Sequence, residues 1–325
     1  MSSPSTIDRF LRDHADGRYF ARLANAPAPH AQRETPTLVH HATLNALEPR
    51  FTIVTPTFDC AGHIEAYINA TAGAASLPFD WILVDDGSVD GTAERARAIL
   101  TSRPLPLAAR VTILHNPAPI FETACDNIGF TLAETDVIIE IQSDIHVREA
   151  AFDALMIDAL ARTPQPATVS GRCGHSYLAL RGRLARAVFG RGRTDGVGLC
   201  GTAIDTPDAI EPLRGQLFCC ETVPRGPWAV RKADLERHGY LDERHFFLGN
   251  DDHDYHRRLY AAEGRRPLYA PMSLHAPLHL GARRQARTGV NARIFAELSR
   301  EKRGSPGFRA FLAAQRQSAA PERII

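Results

Sequence analysis

The sequence lacks the marks of several protein classes. Its six cysteines, at 60, 125, 173, 200, 219 and 220, form no CxxC pair and no zinc-ribbon spacing, which argues against a structural metal module and suits a reduced, cytoplasmic setting. No charge sign dominates: 38 Lys and Arg stand against 37 Asp and Glu, leaving +1. A surface built wholesale for polyanions is therefore not expected, and nucleic acid is not an expected partner. No apolar run approaches the roughly 20 residues of a membrane helix, and the charged opening MSSPSTIDRFLRDHADG does not read as a signal peptide. Neither an internal repeat nor a heptad run is present.

What is present is a regular alternation. From Phe51 the chain reads FTIVTP (51–56), GHIEAYINATA (62–72), FDWILVDDGS (79–88), GTAERARAILTS (91–102), RVTILH (110–115), IFETACDNIGFTLAE (120–134) and DVIIEIQSD (136–144). Short β-branched runs alternate with helical periodicity, the pattern of a mainly parallel sheet with right-handed helical crossovers. Such a sheet binds ligands beyond the carboxyl ends of its strands. The polar clusters Thr55–Asp59, Asp85–Ser88 and Gln142–Asp144 fall at those ends and are expected to share one crevice. Before Phe51, residues 7–23 read as short amphipathic helices and 24–50 as a connector. After helix 149–162 the pattern turns mixed or antiparallel, the place for a second substrate, and 281–325 reads as a helical tail. The expected divisions are an N-terminal extension 1–50, a domain 51–280 with halves 51–146 and 147–280, and the tail 281–325.

Three acidic groups carry the chemistry. Asp86 follows a buried strand at a glycine turn, where a carboxylate can accept from a nucleobase N–H or ribose hydroxyls; the alternative is a helix cap, a role Ser88 and Asp90 suit better. Asp144 ends the strand 136–144, placed to hold a hard divalent ion together with substrate phosphates, or else to cap the next helix. Asp251, Asp252 and Asp254 crowd the start of helix HDYHRRLYAAEG, where mutual repulsion raises a pKa and one acid is poised to take a proton; an ordinary acidic first turn is the alternative. His275 offers an imidazole, to a metal or to packing, and Trp228 a ring for a sugar face or for the core. The arginine- and glycine-rich stretch 181–193 reads as a loop closing over a diphosphate or as a solvated face.

Taken together, IVTPTFD (53–59), VDDGSVDGT (84–92), the block ending at Asp144, RGPWAVRKADLERHGYLDE (225–243) and NDDHDYHRRL followed by LYAPMSLH resemble glycosyltransferase family 2. The resemblance spans Phe51 to His275. It implies a GT-A fold, with a Rossmann-like parallel half and a mixed acceptor half, and an inverting transferase that uses a nucleotide sugar. It assigns Pro56, Thr57, Phe58, Asp59, Asp86 and Gln142 to the nucleotide, and Asp144 and His275 to a divalent ion, Mn²⁺ or Mg²⁺. Asp252 becomes the base with Asp251 its neighbour, and Trp228 and Phe247 line the acceptor side. The family's metal-binding DxD falls on Gln142-Ser143-Asp144, so the first acid is replaced by a neutral amide. The implied donor is a UDP-sugar, with GDP- and dTDP-sugars as alternatives, and the acceptor a carbohydrate, lipid-linked or protein-linked hydroxyl; pairing of two subunits is a further expectation. The rival readings are a related nucleotidyltransferase, which would release pyrophosphate, and a non-catalytic sugar-binding module, which would tolerate Asp252→Asn.

Overall fold

The computed structural model describes residues 5–23, 34–174, 210–277, 292–304, 309 and 322–323. Helix α1 (Thr6–Ala15) opens on a capping box in which Ser5 and Asp8 bond each other's backbone N–H. Strands β1 (Thr37–Thr43) and β2 (Phe51–Thr57) lead into α2 (Ile64–Ala74), β3 (Phe79–Asp85), α3 (Thr92–Ser102), β4 (Ala108–His115) and α4 (Glu122–Leu132). Then come β5 (Val137–Glu140), β6 (His146–Val147), α5 (Phe152–Leu160), β7 (Val169–Ser170), β8 (Phe218–Cys219), β9 (Trp228–Arg231) and α6 (Lys232–His238). Helix α7 (Asp251–Glu263), β10 (Leu268–Tyr269), β11 (Leu274–His275), α8 (Ala292–Gly304) and β12 (Glu322–Arg323) complete the described order.

One ten-stranded sheet runs β1-β4-β3-β2-β5-β9-β7-β10-β8-β12, and β6 pairs with β11 apart from it. The run β4-β3-β2-β5 is parallel and β9 is antiparallel to β5. The start of β9 therefore lies on the same edge as the ends of β2, β3 and β5. The connector expected over 24–50 contains β1, which pairs antiparallel with β4 and closes that side of the sheet. Its apolar residues are interrupted by histidines, and an edge strand needs only one buried face. The arginine-rich stretch 181–193 lies outside the described residues, as does most of the tail.

Strands β2 and β3 are buried along their whole length. Phe51, Ile53, Phe79, Trp81 and Leu83 pack with Ile64, Ile99 and Phe152 on one face, while Val54, Ile82 and Val84 pack with Ile7, Ile128 and Tyr255 on the other. Period-2 alternation thus feeds two cores, one beneath α2, α3 and α5, the other beneath α1, α4 and α7. Helix α4 lies very close to β2: a Cβ on Gly129 would stand 2.3 Å from Cγ1 of Val54. Among the described residues no helix is long and apolar enough to cross a membrane.

Candidate active site

The loops that follow β2 and β3 are tied by side chains to one another. Asp85 accepts from Thr57 Oγ1 at 3.0 Å and from the Ser88 amide at 3.2 Å, and stands 2.6 Å from His115 Nδ1. Asp59, at φ 41°, accepts from the Val89 amide while its own N–H donates to Ser88 Oγ. Ser88 is thus a tie between loops, and Asp90 bonds the amides of Ala61 and Thr92. Pro56 is buried in β2 opposite Val84, and Phe58 is half-buried after the strand. Asp86 accepts from the amides of Ile120 at 2.7 Å and Phe121 at 2.9 Å. Burial pushes its pKa up to about 7 against the pull of those bonds.

The start of α4 gathers the remaining loops. Phe121, at φ 70°, gives its amide to Asp86 and packs its ring 5.2 Å from that of Phe247. Glu122 accepts from Gln142 Nε2, and Thr123 Oγ1 donates to Asp251 at 2.8 Å. Three consecutive residues thereby join the ends of β3 and β5 and the head of α7. These bonds bring the three loop ends together at the start of α4.

Behind it lies a cluster that no motif announced. Glu122, Asp126 and Glu140 bring carboxylate oxygens within 4.8 Å of one another, an oxygen-rich arrangement of the kind a hard cation takes. The guanidinium of Arg225 is lodged there, bound to Asp126, 3.0 Å from Glu122, 3.7 Å from Glu140 and 2.6 Å from Asp251. Burial raises Asp126 well above the usual carboxylate range and Glu140 to about 8, with Arg225 opposing both shifts. Burial likewise lifts Asp251 to about 6, Arg225 again opposing it. For Asp252 burial also acts upward, yet His253, Arg225 and His256 outweigh it and hold the acid below its ordinary value.

Residues 52–185 match the family model of Glycosyl transferase family 2. That stretch is similar to the family's glycosyltransferase domain. Its fold agrees with a mannosyltransferase, PcManGT from Pyrobaculum calidifontis, solved in complex with GDP-Man and Mn²⁺: 19% identity, TM-score 0.52, covering 95% of this chain and 79% of that one. Other similar structures are GalNAc-T7 with UDP, GalNAc and Mn²⁺, at 13% identity and TM-score 0.49 over 71% of this chain and 44% of that one, and S. aureus TarS 1–349 in complex with UDP-GlcNAc, at 14% identity and TM-score 0.48 over 81% of this chain and 71% of that one. No curated protein matches the chain.

For this glycosyltransferase several expected site residues need correction. Trp228 is fully buried, with Phe130, Tyr255 and His256 around its ring. It starts a central strand covered on that face by α4 and α7, so its large apolar ring joins the core and offers no face to a sugar. Phe247 is only 4% exposed and its ring closes on Phe121. Gln142 is held by protein partners: its amide donates to Glu122, and its carbonyl accepts from Arg172 at 3.4 Å. Asp144 is buried just before β6, and β6 pairs with β11 so that His146 stands opposite His275, their rings 5.8 Å apart.

Arg225, Glu122, Thr123, Asp126 and Glu140 escaped the sequence reading. One of them left a signal: Glu140 interrupts the buried run VIIEI, and a carboxylate there requires a partner or a proton. Both Glu140 oxygens are buried without a hydrogen-bond partner. Raised from about 4.3 in an unfolded chain to about 8 when folded, this acid subtracts stability progressively as pH climbs through that interval and none below it. Glu140→Gln keeps the shape of the neutral form, so its stability relative to the wild type should improve by at least about 1 kcal/mol between pH 5 and pH 9, read by urea unfolding at the two values.

Proposed function

We propose that this glycosyltransferase is an inverting enzyme that moves a sugar from a nucleoside-diphosphate donor to an acceptor hydroxyl, with Asp252 as the base. The observation that carries the reading is the bonding of Phe121, Glu122 and Thr123 to Asp86, Gln142 and Asp251 respectively. It draws a nucleotide-side acid, the strand leading to Asp144 and the paired acids of α7 to the carboxyl edge of one sheet, where open α/β sheets take their ligands. In this reading 51–146 forms the nucleotide half and 147–280 the acceptor half, with 1–50 and 281–325 as flanking additions.

Asp251 and Asp252 have different duties. Asp251 is wholly buried and taken by Arg225 and Thr123, which makes it an anchor. Asp252 accepts from the amides of Arg225 at 3.1 Å and His253 at 2.7 Å, one on each oxygen, leaving a further lone pair on each. Held ionised, it takes the proton from the acceptor hydroxyl. The acceptor oxygen then bonds the anomeric carbon from the face opposite the diphosphate, the bond to the diphosphate oxygen breaks, and the configuration inverts.

Asp144 and His275 would hold a divalent ion, Mn²⁺ or Mg²⁺. Their carboxylate and imidazole are fitting donors, and the β6–β11 pairing sets His275 opposite a residue two positions beyond Asp144. The trio Glu122, Asp126 and Glu140 is an oxygen-rich alternative that also supports metal involvement, but an ion there must displace Arg225 from its pairing with Asp126. When bound, the ion neutralises charge on the departing diphosphate. The mannosyltransferase solved with GDP-Man and Mn²⁺ makes a GDP-sugar and Mn²⁺ natural first probes beside UDP- and dTDP-sugars.

The test is a hydrolysis screen over UDP-, GDP- and dTDP-sugars with Mn²⁺, with Mg²⁺ and with neither. Release of a nucleoside diphosphate from at least one donor is expected. If every donor stays intact and the folded protein binds no nucleoside diphosphate by calorimetry, the reading fails.

A further inference from the structure

Arg225 meets the two α7 acids with different parts of itself. Its guanidinium, 2% exposed, pairs with Asp251 at 2.6 Å, while its main-chain N–H donates to Asp252 Oδ2 at 3.1 Å. It stands at the carboxyl edge of the sheet just ahead of β9, followed by Gly226 at φ 76°, a left-handed turn at which glycine is favoured. A Cβ on Gly226 would come within 3.0 Å of Gln142 Oε1.

Stability does not account for this arrangement. A single cation sits among four carboxylates from α4, β5 and α7, and Arg225 Nε, Asp126 Oδ1, both Glu140 oxygens and Asp251 Oδ1 are buried without hydrogen-bond partners. A well-packed apolar core of the same volume is commonly as stable as such a charged cluster or more so. What the cluster supplies, and apolar packing does not, is a fixed direction for the first turn of α7.

We propose that Arg225 is a positioning residue for sugar transfer: its guanidinium clamps Asp251, and with it the head of α7, against Glu122, Asp126 and Glu140, while its main-chain N–H orients the carboxylate of Asp252. The assignment rests on the reading of Asp252 as the base. It has an electrostatic side as well. The groups facing Asp252 are His253 and His256 on its own helix, Arg225 from the loop before β9, and the neighbouring Asp251. Arg225 favours the ionised form, so its removal should raise the pH at which Asp252 takes a proton.

The experiment compares Arg225→Lys, the double variant Asp126→Asn/Glu140→Gln, and the triple variant that adds Arg225→Met, in which the freed negative charge is reduced. Proteins carrying ¹³C-labelled aspartate carboxyls are titrated by NMR, with Asp252→Asn identifying the resonance, and folding is checked by circular dichroism. The double variant removes negative charge and should leave the Asp252 titration at or below its wild-type position. The triple variant should raise it by about one pH unit. Arg225→Lys restores a charge but cannot span the acids, so Asp252 should titrate near its wild-type position while kcat falls about ten-fold or more with donor KM unchanged, measured on the nucleotide sugar that the screen returns.

A folded triple variant whose Asp252 titrates as in the wild type, or an Arg225→Lys enzyme with wild-type kcat, would leave Arg225 a merely structural residue and overturn the proposal. If the triple variant does not fold, the Lys variant decides. Full turnover by Asp252→Asn would instead overturn the base reading, an outcome the titration does not depend on.

Discussion

Asp252→Asn is expected to lower turnover by about 10²–10⁴-fold while leaving nucleoside diphosphate affinity within about two-fold. The amide fills the same space but cannot take a proton from the acceptor. It also meets the amides of Arg225 and His253, which donate to opposite oxygens of the native carboxylate. One of those oxygens becomes an NH₂ group facing an N–H, so part of the loss comes from misorientation. Asp252→Glu separates the two effects, because it restores the proton acceptor without the orientation and should recover only a fraction of turnover. Steady-state kinetics with calorimetry of nucleoside diphosphate binding reads both. The pH profile adds a check of sign. A base is active when ionised, and Asp252 is held below its usual range, so its own protonation removes activity only in strongly acidic buffer. Asp251 and Asp86, raised by burial to about 6 and about 7, take up protons first. The acidic limb of the rate profile should therefore fall near pH 6–7, and a limb confined below pH 4 would contradict those environments.

Removing divalent ions with a chelator should suppress transfer by about 10²-fold or more, and Mn²⁺ should restore it. Asp144→Ala should lose that restoration, whereas Asp126→Asn should keep it if Arg225 rather than a metal occupies the acidic trio. Ion binding without donor should be weak. The residue that would be a second carboxylate is Gln142, whose side chain is occupied by Glu122 and Arg172, which leaves the proposed site with Asp144 and His275 as its protein donors. Nucleoside diphosphate supplies phosphate oxygens and should tighten Mn²⁺ binding, a coupling that calorimetry measures by titrating Mn²⁺ with and without UDP or GDP. Full transfer in the presence of chelator would remove the metal from the mechanism.

The acids of the proposed site drew attention because each stands beside a recognisable local pattern. Asp86 follows a buried strand, and Asp252 lies in the first turn of a helix. What each acid touches was not legible. Asp251 and Asp252 look alike in NDDHDY, yet one is wholly buried against Arg225 and the other is bonded through backbone amides. Trp228 was read as open to two roles, and only the positions of α4 and α7 above β9 decided for the core. The edge strand at Thr37–Thr43 was hidden for a related reason: it gains its hydrogen bonds from β4, a partner far along the chain, and carries little apolar signal of its own.

By itself, then, the sequence determined the alternation of strands and helices from Phe51 to Asp144 and which acids stand at their ends, since hydrophobic periodicity and turn residues act over a few neighbouring positions. The tertiary structure alone decided that Arg225 lies among acids from α4, β5 and α7, and that three residues at the start of α4 bind three loops together. Those placements join positions up to 128 residues apart, where the energy of a buried charge depends on which partners the folded chain brings within bonding distance.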